Sequence, residues 1–291
     1  MPRAQMQKTI LKNLKAKQLS KKEIPMSKFV VVVLPDEVKA YDGTQAFSEL
    51  HSEGNLTVYS VAVVTKDKDN QIFVKDAAES GPLGISVGAL VGGLIGILGG
   101  PAGLIAGVAS GAVIGGFSDL FNLGLSTKFI EKISTELAPG KTAVIAEVDE
   151  GWETPLDSRM AAIGGTVLRN WRSNIEDEHA MAEIAARRAD YDQLKSEFSS
   201  AEERGKDLLR AKVDHAIDEL HDSEARAKSR LDALNAEMKA KLAVLEKQMS
   251  VAGADAREKI QMQIASLKSG YAVRTAKLQH AWDLTRDALA A

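Results

Sequence analysis

Residues 29–34 read Phe-Val-Val-Val-Val-Leu, a continuous apolar run that ends at Pro35. A short run of β-branched residues bounded by a proline predicts a strand that is buried on both faces. Residues 41–53 then carry apolar side chains near helical spacing. Gly54 follows them, and glycine favours the left-handed backbone just beyond a helix. The beginning of the chain's folded part is therefore predicted to be a buried strand followed by an amphipathic helix.

Further elements show equally local signals. Strands are predicted over residues 56–64, 71–75 and 142–148, where β-branched side chains dominate. A helix is predicted over residues 121–137, where apolar side chains recur at every fourth position. The order strand, helix, strand, strand, helix, strand is that of the ferredoxin-like, split β-α-β fold, an α+β fold. A short helix and one more strand, residues 166–169, complete the predicted domain.

A long segment without charge separates the third predicted strand from the second helix. Residues 80–118 contain no charged side chain, and their glycines recur at every fourth position in two series. The series meet at Gly99-Gly100-Pro101, a strong turn signal. Each glycine costs about 1 kcal/mol in a helix relative to alanine, so this spacing indicates that helices pack closely along a glycine face. Residues 82–117, called the glycine-zipper segment below, are predicted to form a helical hairpin inserted in the domain. The predicted packing residues are Gly84, Gly88, Gly92, Gly96, Gly100, Gly103, Gly107, Gly111 and Gly115, and the predicted turn is Gly99, Gly100 and Pro101.

The length of this hairpin favours contact with a membrane. Two arms of about 16 residues would each be about 24 Å long, which is shorter than a hydrocarbon layer of about 30 Å. A hairpin that enters the membrane and returns on the same side fits these lengths. Two alternatives remain open. One is a soluble ring, filament or shell whose hairpins pack against each other, and the other is a membrane pore built from hairpins.

The last 116 residues, 176–291, form a charged segment without proline, called the helical tail below. Apolar residues alternate there in steps of three and four, the spacing of a coiled coil. The sequence Val251-Ala-Gly-Ala-Asp255 predicts a break, so a helical hairpin is expected. Ser199-Ser200 and Gly205 are the alternative positions for a further break. Oligomerisation is predicted through Leu231, Leu234, Met238, Leu242, Leu245, Ile260, Ile264, Leu267 and Tyr271.

Charge divides the chain in the same way. Residues 1–25 carry 7 basic and 1 acidic side chain, whereas residues 26–175 carry 11 basic and 17 acidic ones. The first segment is predicted to be a basic leader, either amphipathic or disordered, and it lacks the apolar core of a signal peptide. The net charge of −3 offers no basic excess for nucleic acid. The chain has no cysteine, which excludes disulfides and thiol chemistry.

No catalytic, cofactor-binding or metal-binding motif is complete. Gly140-Lys141-Thr142 resembles the end of a phosphate-binding loop, but it leads from a helix into a strand, the reverse of a Walker loop. The spacing of His179 with Glu176 and of His221 with Asp218 is that of di-metal helical bundles. Because acidic residues cover every face of the tail, these pairs are interpreted as a solvated surface. A non-enzymatic protein without cofactor, metal or small-molecule substrate is predicted.

The run at residues 29–34, the glycine-zipper segment, and the helix and strand through Val148 resemble the bacterial "domain of unknown function 1269" family. The resemblance covers about residues 27–170, and the family's members are usually described as predicted membrane proteins. With the predicted hairpin and tail, we expect a bacterial cytoplasmic protein at the inner face of the cytoplasmic membrane, with lipid and further copies of itself as partners. The family supplies no settled activity. The chain is therefore expected to be a self-associating membrane scaffold, with the soluble assembly and the pore as alternatives.

Overall fold

The computed structural model describes residues 27–77, 89–98, 125–172 and 175–290. Its strands are β1 (Lys28–Leu34), β2 (Leu56–Lys66), β3 (Ile72–Ala77), β4 (Thr142–Glu150) and β5 (Thr166–Trp171). Its helices are α1 (Glu37–Ser52), α2 (Ala89–Leu98), α3 (Thr127–Glu136), α4 (Thr154–Ala162), α5 (Ile175–Ser200), α6 (Glu203–Val251) and α7 (Ala254–Ala290). The architecture is mixed, as predicted: a five-stranded antiparallel sheet and a long helical C-terminal part.

The strands lie in the order β3-β2-β4-β1-β5, and every neighbouring pair is antiparallel. β1 is paired on both sides, since Val31 lies opposite Ile145 of β4 and Leu168 of β5. All seven of its residues are buried, which explains why its sequence is apolar at nearly every position. Because β1 and β2 are both antiparallel to β4, they run in the same direction with β4 between them.

This order differs from the one expected when the predicted elements are taken in sequence. A split β-α-β fold read that way would place the third strand between the first two. The structure instead places β3 at the edge of the sheet and inserts β4 between β1 and β2. The hairpin connection keeps β3 beside β2, and β3 is the shorter and more polar strand, which suits an edge.

Helix α1 begins four residues earlier than predicted. The side chain of Asp36 accepts a hydrogen bond from the backbone N–H of Lys39 at 2.8 Å and caps the first turn. At the other end, Gly54 has a φ of +68°, which confirms the predicted left-handed residue beyond the helix. The short helix and final strand predicted near residue 166 are confirmed as α4 and β5.

The two faces of the sheet carry separate apolar clusters. α1 and α4 cover one face with Phe47, Leu50, Leu156 and Met160. α2 and α3 cover part of the opposite face, and their buried contributions are Val91, Leu94, Ile95, Leu125, Phe129, Ile133 and Leu137. Helix α3 is shorter than the predicted helix over residues 121–137, of which residues 121–124 lie outside the described residues. Phe129 and Ile133 form its buried side, and Leu125 and Leu137, which flank it, are buried as well.

The helical tail contains three helices rather than the two of a hairpin. The predicted break at residues 251–255 is confirmed between α6 and α7, and the break at Ser199-Ser200 is confirmed between α5 and α6. α6 has 49 residues, so it is about 74 Å long at 1.5 Å per residue. Asp177 of α5 accepts from Arg230 of α6 at 2.9 Å and from Arg274 of α7 at 2.5 Å. One buried carboxylate therefore joins all three helices.

Candidate functional site: the polar interface between the sheet and the tail

The face of the sheet that carries α2 and α3 changes character along its strands. Phe29, Val31 and Ile145 form its apolar half under those two helices. Side chains along a strand alternate between the two faces of a sheet, so Ser27 lies on the same face as Phe29, and Glu147 on the same face as Ile145. The polar half of this face carries Ser27, Thr57, Ser60 and Glu147, all at most 8% exposed. The helical tail covers this polar half. The contact between tail and sheet is therefore a buried polar interface, the most unusual chemical feature in the described residues.

An ion pair lies at the centre of the interface. Nζ of Lys241, on α6, lies 2.5 Å from Oε1 of Glu147 on β4 and donates to the hydroxyl of Ser27 at 2.9 Å. The Ser27 hydroxyl in turn donates to Glu147 at 2.6 Å. The ammonium group also lies 4.7 Å from the centre of the Tyr59 ring. The side chains of Lys241 and Glu147 are 7% and 6% exposed, so each charge needs an opposite charge close by.

A second ionic group connects the end of β5 with α6 and α7. The guanidinium of Arg172 donates to both carboxylate oxygens of Glu237, and the hydroxyl of Tyr271 donates to the same carboxylate. Burial alone would raise the pKa of Glu237, but the hydrogen bonds and charge of Arg172 hold it well below the usual value. Burial and the charge of Glu237 raise the pKa of Tyr271. Glu237 is therefore ionised and Tyr271 protonated at neutral pH.

Amide groups complete the interface near the start of β2. The side-chain amide of Gln248 donates to the backbone carbonyls of His51 at 2.6 Å and Leu56 at 3.0 Å. Its oxygen accepts from the hydroxyl of Thr57 at 2.8 Å. His51 accepts from a backbone N–H at its Nδ1, and burial, together with Lys247, lowers its pKa to about 4. The imidazole is therefore neutral at pH 7.

Sequence reasoning missed these residues, although two signals were present. Glu147 interrupts an otherwise apolar strand, Thr142-Ala-Val-Ile-Ala-Glu-Val148. Lys241 and Gln248 lie seven and fourteen residues after Leu234, so they occupy the same heptad position with polar side chains. A polar residue at a recurring core position specifies a particular partner surface. Both signals indicate a buried polar contact, but neither says which two surfaces meet.

The nine tail residues predicted to mediate oligomerisation all lie in one cluster within the chain. Leu231, Leu234, Leu245, Ile260, Leu267 and Tyr271 are buried there, and Met238, Leu242 and Ile264 pack on them. These contacts join α6 and α7 of the same chain. That they also join separate chains stays a prediction.

Only part of the glycine-zipper segment lies within the described residues. Gly92 and Gly96 belong to α2, and Gly96 is buried. Gly84, Gly88, Gly99, Gly100, Pro101, Gly103, Gly107, Gly111 and Gly115 lie outside the described residues, as do residues 1–25. In the described part, α2 has ten residues, and no helix there has the length and apolar character needed to cross a membrane.

Within the same described ranges, no group of three or more His, Asp or Glu side chains is arranged to hold a metal ion. His215 and His221 are exposed and lie 3.8 Å from Glu219 and 3.7 Å from Glu224. The side chains of Glu176 and His179 are outside the described set. An open groove of about 570 Å³ lies beside the interface, where Trp152 and Met262 are exposed. Asp149 and Lys259 are the charged residues of its lining.

The described residues thus define a two-part protein of mixed helix and strand, with an antiparallel sheet joined to a three-helix tail through a buried polar interface. Residues 86–185 match the family described as "Protein of unknown function (DUF1269)". The predicted resemblance is confirmed over that range. The match begins in the glycine-zipper segment and ends in α5, so it extends further towards the tail than expected and does not include β1, β2 or β3. No curated protein and no solved structure matches the chain.

Proposed function

We propose that the protein is a non-enzymatic, self-associating scaffold that contacts the inner face of a bacterial cytoplasmic membrane through its glycine-zipper segment. The observation that carries the scaffold is the tail, a three-helix unit about 74 Å long with its own apolar cluster. The membrane contact rests on the 39 uncharged residues between Glu79 and Asp119. A rigid arm and an uncharged, glycine-rich segment in one chain are suited to positioning partners at a surface.

We also infer a ferredoxin-like core for the sheet from the order of its strands. Without β3, the strand order is β2-β4-β1-β5, and the chain order is β1, α1, β2, β4, α4, β5. This order supports a split β-α-β core, in which β4, α4 and β5 would take the places that the sequence assigned to β3, α3 and β4. In this proposal the insertion comprises β3, the glycine-zipper segment and α3.

Flotation with lipid vesicles tests the membrane contact. Full-length protein is mixed with vesicles of zwitterionic and anionic lipid in 1 M salt and separated on a density gradient. Val108→Lys places a charge in the uncharged segment, at a cost of about 2.5–3.5 kcal/mol in the centre of a bilayer. We expect the wild type to float and this variant to lose about 100-fold in vesicle affinity. Val273→Lys, at an exposed position of α7, is the matched control and should float like the wild type.

Wild-type protein that stays in the dense fraction would contradict the membrane contact. Release of a dye from the vesicles by bound protein would favour the pore instead of the scaffold.

One observation favours the soluble assembly as a second candidate. Val91, Leu94 and Ile95 of the glycine-zipper segment are at most 2% exposed and lie in the apolar cluster of the chain's own sheet. That part of the segment is covered by protein, as in a soluble core. Light scattering without detergent tests this candidate. Oligomers that do not bind vesicles would support the soluble assembly, and monomers at micromolar concentration would exclude it.

A further inference from the structure

The apolar clusters of the sheet and of the tail share almost nothing. The two clusters that cover the sheet contain no residue beyond Leu168. Within the described residues, the tail cluster contains one side chain from the sheet, Tyr59, and otherwise only residues between Ala180 and Trp282. Each part thus has an apolar core that does not need the other. The tail is a structural unit held on the sheet mainly by hydrogen bonds and charges.

A polar docking face behaves differently from an apolar one when it opens. Separating the tail from the sheet would expose Glu147, Lys241 and Gln248 to water, which solvates such groups well. An apolar interface would instead expose a patch that aggregates. The same groups demand a specific partner, because a buried charge without its counterpart is costly. The surface is therefore suited to opening and to closing on one complementary surface.

We propose that two copies of the chain associate by exchanging tails. Each tail then docks on the polar half of the sheet face in the other copy. Within the described residues, the tail is the surface that fits this polar half of the sheet, with Lys241 against Glu147 and Glu237 against Arg172. A second copy carries an identical tail, and exchange of an identical element needs no new contact. This inference rests on the self-association in the proposed function and specifies its interface.

Complementary charge reversals test the exchange. A Glu147→Lys chain and a Lys241→Glu chain are prepared separately and then mixed in equal amounts. Each variant alone has like charges facing each other in its own interface. In an exchanged heterodimer both interfaces again contain one acid and one base. We expect each variant alone to be monomeric, and the mixture to form a species of about 62 kDa, twice the 31.2 kDa of one chain, by light scattering.

The double variant Glu147→Lys/Lys241→Glu is the control for folding, since it has the reversed pair within one chain. If this control does not fold, Arg172→Glu and Glu237→Arg chains repeat the mixing with the second ion pair. A mixture that remains monomeric while the control folds would overturn the exchange. If wild-type protein still forms oligomers in that case, the proposed scaffold stands and only its interface is wrong. If the variants form heterodimers but the wild type does not float with vesicles, the exchange is supported and the membrane contact is refuted.

Discussion

The buried pair of Lys241 and Glu147 yields the most quantitative prediction. At 2.5 Å and an effective dielectric constant of about 20, their Coulomb attraction is about 7 kcal/mol. Desolvation costs several kcal/mol for each ion, so the intact pair contributes little in net terms. Removing one partner is different, because the other keeps its desolvation cost and loses its compensation. Breaking such a pair costs about 3–5 kcal/mol.

The two single substitutions should differ because the neighbours differ. In Lys241→Met, Glu147 retains the Ser27 hydroxyl and has Arg172 only at 3.8 Å, so we expect a loss of about 3–4 kcal/mol in unfolding free energy. In Glu147→Gln, Lys241 retains Glu237 at 3.2 Å, and the expected loss is about 2 kcal/mol. The double variant should lose less than the sum of the two single losses, because it removes both charges and leaves neither member of the pair ionised without its partner.

Urea denaturation followed by circular dichroism measures these values as a double-mutant cycle. Tryptophan fluorescence, recorded in parallel, shows whether sheet and tail unfold together. We expect a coupling energy of about 1.5–3 kcal/mol between the two positions. A coupling below about 0.5 kcal/mol, or a loss below 1 kcal/mol for Lys241→Met, would show that the pair is not buried as the structure has it.

Three further predictions concern single positions. The folded pKa of His51 is about 4, below its usual value of 6.5, so unfolded chains bind the extra proton and stability should fall by at most about 3 kcal/mol as pH decreases from 6.5 to 4. His51→Asn should flatten the pH dependence of the urea midpoint over that range. Gly54→Ala should cost about 2 kcal/mol by urea denaturation, because φ is +68° and a Cβ would lie 2.9 Å from a side chain of α7. Gly151→Ala meets open space and should change stability by less than about 0.5 kcal/mol. Leu94→Ala removes a fully buried side chain and should cost about 3 kcal/mol, and a loss below 1 kcal/mol would refute the packing of α2 on the sheet.

Elements with a strong local pattern were predicted well. The apolar run at residues 29–34 is strand β1, which is paired on both sides. A strand buried on both faces has apolar side chains at nearly every position, so its sequence is easily recognised. Gly54 ends α1 with a positive φ that side chains other than glycine rarely adopt. The sequence Val251-Ala-Gly-Ala-Asp255 separates two helices, as predicted. Each of these outcomes depends on neighbours within a few residues.

The strand order was not predictable in the same way. The pattern of side chains in β3 and β4 predicts that each is a strand. The sequence of an antiparallel strand, however, does not identify the strand with which it pairs. β4 lies between β1 and β2 because its longer apolar run needs cover on both sides. The more polar β3 remains at the edge. The strand order depends on strands that are far apart in the chain, so no local pattern predicts it.

The candidate site depended even more on the tertiary structure. The sequence by itself determined a buried strand system, an uncharged glycine-rich segment and a charged helical tail, because local composition and periodicity set the type of each element. Only the tertiary structure decided that Lys241, Glu237 and Gln248 face the polar end of the sheet. That contact exists because Glu147 and Arg172 are buried there and need charges that local sequence cannot supply.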